Sequence, residues 1–202
     1  MSERFADLKK IPKEPAARML AMANAKLKTK LTLPASAPVQ TVLEALDAEG
    51  ATVDMLRLLA VALPARERVW WACLAARDYI GAAPENNTPS LAAAEAWVFK
   101  PTPENCERVR QTMDTAEVDD DTVYLANAIV FADGTLGPGE LSHHQGPVGA
   151  AEVSAFAMNV VAMGKHSDRF EAYSQMLIDR AVNIARGGNG RVEGNQKDAK
   201  EG

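Results

Sequence analysis

At 202 residues, with 47% hydrophobic and only 5% aromatic residues, the chain can build one sizeable core, and it must do so from Ala, Leu, Val and Met rather than from rings. The net charge of −5 is unevenly spread, because residues 1–33 carry eight Lys or Arg against three Asp or Glu and the remainder therefore holds −10. An acidic body argues against nucleic-acid binding, which depends on clustered cations, and the chain lacks the run of about 18 apolar residues that a membrane span requires.

Helical periodicity recurs along the chain and period-two alternation hardly appears. Pro15 to Lys26 reads as a short helix, followed by the proline-containing connector LTLPASAPVQ. Pro38 opens PVQTVLEALDAEG, which Gly50 stops, and ATVDMLRLLAVAL comes next. Pro64 opens a helix that runs to Ile80 and closes at Gly81. Thr88-Pro89 and Thr102-Pro103 each pair a capping hydroxyl with proline at the first helical position, which predicts helices over TPSLAAAEAWVFK and TPENCERVRQTMDTA. The acidic run Asp119 to Asp121 is expected to cap DTVYLANAIVFADG. After a Gly- and Pro-containing loop, Asp133 to Gly146, the last helices are PVGAAEVSAFAMNVVAMG and a segment capped by Ser167 and ended at Gly187.

These elements predict an all-α fold, a single compact bundle of about eight helices with short loops. Residues 1–13 are expected to form a flexible N-terminal tail, 14–188 the helical domain, and 189–202 a disordered C-terminal tail poor in residues to bury.

ERVWWACLAARDYI, Glu67 to Ile80, holds two of the three tryptophans and one of the two cysteines. A helix advances about 100° per residue, so Trp70 and Trp71 face different ways. From Val69 to Ala76 no position is charged, which marks a helix buried on more than one side, the central helix of the bundle. Trp71 falls on the side shared with Glu67 and Asp78. The leading reading is two core tryptophans packed in different layers; Trp71 with Glu67 and Asp78 is the candidate interaction surface if its ring meets solvent.

The segments LPARERVWWACLAAR, AAEAWVFKPTPENCERVR, GPVGAAEVSAFAMNVVA and NIARGGNGR together resemble an uncharacterised bacterial all-α domain family of unknown function, over roughly residues 39–191. That resemblance implies no catalytic residue. It implies a bacterial setting, with genes of this kind near type VI secretion genes, and so an accessory role in secretion.

Motifs for chemistry are sparse. Cys73 and Cys106 have no CxxC spacing and read as small apolar side chains of a reducing compartment, which fits a cytoplasmic location. No phosphate loop, dinucleotide fingerprint or GxSxG is present, so no cofactor is expected. The adjacent His143 and His144 are the most tempting feature, but a metal site needs three or four ligands and the spacing supplies no others. Glu95 and Glu152 sit on otherwise apolar helices. Each needs a partner if buried, for Glu95 most simply Arg66 or Arg77, and a structural ion pair is the simpler reading than an acid/base pair.

The leading expectation is a non-enzymatic bacterial accessory protein that binds another protein, with a homo-oligomer compatible. The alternative is a small metal-binding or hydrolytic enzyme that uses His143 and His144 with carboxylates such as Glu152.

Overall fold

Nine α-helices carry the fold of the computed structural model, which describes residues 3–192. They are α1 (Ala16–Met22), α2 (Val39–Ala48), α3 (Thr52–Ala62), α4 (Ala65–Ile80), α5 (Pro89–Phe99), α6 (Pro103–Thr115), α7 (Val123–Val130), α8 (Ala150–Lys165) and α9 (Phe170–Ala185). Among the described residues there is no strand, only isolated bridges between Pro15 and Pro38 and between Thr135 and Gln145. The all-α bundle expected from the periodicity is therefore the observed architecture.

The capping chemistry explains where several helices start. Thr88 Oγ1 accepts the Leu91 N–H at 3.2 Å and Thr102 Oγ1 accepts the Asn105 N–H at 3.3 Å, as the Thr-Pro pairs predict. Two expected starts are displaced. Asp120 spends one oxygen on the N–H and hydroxyl of Thr122, in a turn just ahead of α7, so the acidic run shapes the approach to that helix rather than its first turn. Ser167 lies in a 3-10 turn, Ser167–Arg169, and α9 begins after it with no side-chain cap.

Two helices organise the core. The α4 helix packs against α5, α7, α8 and α9, and α8 packs against α3, α4, α7 and α9. Each has one side in either of two apolar clusters. Trp71, Leu74, Ala75, Ala162 and Met163 join the cluster built by the N-terminal segment, α1 to α3 and α9. Val69, Ala72, Cys73, Ala76, Ala155 and Met158 join the cluster of α5, α6 and α7. The uncharged stretch of α4 is thus the middle of the molecule, with Trp70 alone in it half-exposed.

A buried arginine ties the centre together. Arg68, 6% exposed, donates from Nε to the Ala60 carbonyl at 2.6 Å and from Nη2 to the Leu63 carbonyl at 3.0 Å, and its Nη1 pairs with Glu152 at 2.8 Å. The last turn of α3, the first turns of α4 and the first turn of α8 are fixed by one side chain. Burial pushes the guanidinium's pKa down and Glu152 pulls it back, which keeps the charge compensated. Nearby, α8 starts at Gly149 with φ +79, and a Cβ there would stand 2.0 Å from the Ala23 carbonyl oxygen. Only glycine lets the end of α1 and the start of α8 approach so closely.

The N-terminal segment is not a free tail. Phe5 is fully buried and Ile11 is 8% exposed. Arg4 reaches Asp47 on α2 at 2.8 Å and Gln175 and Asp179 on α9, while Arg186 returns the contact by donating to the carbonyls of Glu3, Arg4 and Ala6. Lys10 pairs with Glu67 at 3.1 Å. A flexible 1–13 was expected; the sequence pattern hid that one phenylalanine fills a core position, and Arg4 and Lys10 meet carboxylates of the acidic body. At the other end, residues 189–192 are placed, with Gly190 buried, and the expected disorder of 193–202 lies outside the described residues.

Candidate functional site

The two neighbouring tryptophans divide between core and surface: Trp71 is core as the leading reading has it, and Trp70, also expected in the core, is the one that reaches the surface. Trp71 is fully buried and donates its indole N–H to the Leu177 carbonyl of α9 at 2.9 Å. Trp70 is half-exposed and donates to the Asn189 carbonyl at 2.7 Å. Trp71 is therefore not an interaction surface. The side of α4 it occupies is covered by α9, which charge at the two ends of the helix could not reveal. Glu67 is held by Lys10, and Asp78 accepts from Tyr173 Oη at 2.9 Å and pairs with Arg180, so both flanking carboxylates brace the structure.

The surface aromatic cluster lies on the Trp70 side. Trp70, Phe99, Val98 and Ile184 line a cleft of about 490 Å³ with Arg66, Glu67, Lys10 and Glu95 on its rim and Gly187 to Asn189 closing one edge. Phe99 is 86% exposed at the last position of α5. Its backbone is firmly held. Arg66 Nε donates to the Val98 carbonyl at 2.6 Å, and Asn105 Nδ2 donates to the Lys100 carbonyl at 2.8 Å, so two side chains satisfy carbonyls that the helix end leaves open.

The closing loop is equally determined. Gly190 has φ +73, donates its N–H to Asn183 Oδ1 at 2.8 Å, and would place a Cβ 2.8 Å from Ile184 and Leu74. The tight fold of this loop delivers the Asn189 carbonyl to Trp70. Three of the four segments quoted for the resemblance, around Trp70, Phe99 and Gly188, thus meet at one cleft, though nothing in their separate spacing foretold it.

Glu95, on the rim, is gripped by Arg77 through both oxygens, Nε to Oε1 at 2.8 Å and Nη2 to Oε2. This is the structural ion pair expected for Glu95, and it raises the Arg77 pKa, first through that hydrogen bond. Cys73 lies fully buried near the pair. Burial, then the Glu95 charge, pushes its thiol far up, which leaves it no thiolate for nucleophilic attack.

The alternative constellation does not assemble. His143 and His144 are exposed at the end of a 3-10 turn, Gly139–His143, and Glu152 is committed to Arg68. Among the described residues no group of three or more His, Cys, Asp and Glu side chains is placed to hold a metal ion. A second cleft, about 430 Å³, is lined by Tyr79, Asn86, Thr112 and Asp119 to Asp121, but its carboxylates are partly spent on Thr122 and on the Tyr79 hydroxyl at 2.9 Å. The latter bond is the main cause of the raised Tyr79 pKa. Among the described residues no helix is long and apolar enough to cross a membrane.

Comparison with known proteins gives one family. A family model described as "Family of unknown function (DUF6931)" matches residues 42–185. No curated protein and no solved structure gives a match. The matched span runs from α2 to the end of α9 and contains Trp70 and Phe99, while the strapping N-terminal segment and the loop at Gly190 lie outside it.

Proposed function

Starting from a chain that belongs to DUF6931, a family of unknown function, we propose that it is a non-enzymatic protein-binding module whose docking site is the cleft between Trp70 and Phe99. The observation that carries this reading is the Phe99 ring, 86% exposed on a helix end whose backbone is pinned from both sides. Exposing a phenylalanine forgoes burial worth about 1.5–3 kcal/mol. An exposed ring on a backbone already held in place, beside a half-buried Trp, gives a partner an anchor without the cost of ordering that backbone. The occupied carboxylates and the full burial of Cys73 support a binding role over a hydrolytic one. The bacterial and secretion-accessory setting is part of the proposal and is supported by the family resemblance alone, and the cytoplasmic location by the two free cysteines.

The test is a comparison of the full chain with its Phe99→Ala variant as bait in lysate of the source cells. A protein retained by the first and lost by the second must then bind the purified full chain directly, with at least about a tenfold weaker affinity for the variant, as expected for losing a buried aromatic anchor. A direct binder indifferent to Phe99→Ala would place the docking site elsewhere.

A further inference from the structure

We infer that the segment this cleft receives is acidic, an apolar side chain flanked by Asp or Glu, contributed by a partner protein. The inference rests on the binding role proposed above and adds the chemistry of the occupant. Three exposed cations surround Phe99: Arg66 on the cleft's rim, and Lys100 and Arg108 in the shallow groove that shares the Phe99 ring. None of the three forms an ion pair among the described residues. The other cations at the site are already neutralised, Lys10 by Glu67 and Arg77 by Glu95. Arg66 uses only its Nε, on the Val98 carbonyl, which leaves the terminal nitrogens of its fork for a carboxylate.

One carboxylate shares this field. Glu104 is held below the usual range first by a backbone N–H and by the Thr102 hydroxyl, with Lys100 and Arg108 contributing last. One negative charge therefore stands against three positive ones around Phe99. In a chain whose residues beyond 33 carry −10, this is a local reversal of sign. The same rim argues against a nucleic acid as the occupant. Three uncompensated cations beside Glu104, in an otherwise acidic chain, are too few to track continuous phosphates, whereas a short peptide can set its carboxylates against them. The apolar lining of Trp70, Val98 and Ile184 takes the central side chain.

Fluorescence anisotropy with three labelled synthetic peptides of equal length tests this, each with a central Leu-Trp pair flanked by Asp and Glu, by Gly and Ser, or by Lys. The full chain should bind the acidic peptide about tenfold tighter than the neutral one, since each exposed pair adds a modest increment. The Lys-flanked peptide should bind weakest, and raised salt should shrink the differences. The double variant Lys100→Gln/Arg108→Gln should lower the acidic preference to about threefold or less while keeping binding to the neutral peptide. Phe99→Ala should weaken all three peptides, with circular dichroism confirming the helical content of each variant. Equal or tighter binding of the Lys-flanked peptide overturns the acidic occupant while Phe99-dependent binding keeps the docking site. Binding of every peptide that ignores Phe99→Ala overturns both. Light scattering of the same samples adds a further outcome: dimers abolished by Phe99→Ala would make a second copy the occupant and overturn the inference.

Discussion

Trp70 and Trp71 are adjacent in the chain yet occupy different environments, one donating its indole N–H to Asn189 from the wall of an open cleft and the other donating to Leu177 from inside the core. The difference predicts a split between stability and binding. Trp71→Ala should cost about 3–5 kcal/mol in urea unfolding, as large-to-small changes of a buried ring do. Trp70→Ala should cost about 1–2 kcal/mol and remove most partner binding. Equal stability losses for the two variants would contradict the assignment.

Arg68 offers a second contrast. Arg68→Met should destabilise by about 2–4 kcal/mol, because Glu152 loses its partner and two carbonyls at the α3–α4 junction lose a charged donor. The double variant Arg68→Met/Glu152→Leu should recover part of that loss, since it removes the stranded carboxylate. A double-mutant cycle with no coupling between the two positions would show that the pair is not the central brace.

The N-terminal strap makes a prediction opposite to that of a free tail. Phe5→Ala should lower stability by about 3–5 kcal/mol, while Arg4→Ala, which removes partly exposed pairs with Asp47 and Asp179, should cost about 1 kcal/mol. Limited proteolysis of the Phe5→Ala variant should cleave early between Lys9 and Lys13. A wild-type chain that loses residues 1–13 to protease at once, with no change in melting temperature, would argue for the free tail.

The two thiols define a pH dependence. Burial, then the charges of Asp133 and Glu107, pushes Cys106 up to about 11, against an ordinary 9.0, and Cys73 is pushed higher still. A thiol with a raised folded-state pKa keeps its proton where the unfolded chain has lost it, so its contribution to stability is complete below about pH 9 and is lost as pH rises through about 11. Stability should therefore fall above pH 9. Iodoacetamide at neutral pH should label Cys106 slowly and Cys73 only under denaturant, as mass spectrometry can read. Rapid labelling of Cys73 in the native chain would contradict its burial.

Much of the fold was legible because its signals are local. The Thr-Pro starts at Thr88 and Thr102 carry their own capping chemistry, and the uncharged stretch Val69 to Ala76 declared its burial by composition. What failed depends on contacts between distant segments. The side of α4 that faces solvent is decided by where α9 lands, so the core reading fits Trp71, while Trp70 rather than Trp71 is the one that reaches the surface. The segment that carries Phe5 is fixed through Arg4 by Asp47, Asp179 and Arg186, which lie 43, 175 and 182 positions from Arg4 along the chain. The cleft itself was invisible for the same reason. Phe99 was one more apolar residue on a helix until Arg66 and Asn105 fixed that helix end and left the ring in water.

Site-specific photo-crosslinking tests the docking site most directly. A photoreactive phenylalanine analogue would replace Phe99 in one sample and Phe170, which is 46% exposed at the start of α9, in another. After irradiation in the source cells, position 99 should yield one dominant adduct to a protein whose crosslinked peptide is rich in Asp and Glu, and position 170 should not. The same adducts from both positions, or an adduct from 170 alone, would contradict a binding face at Phe99.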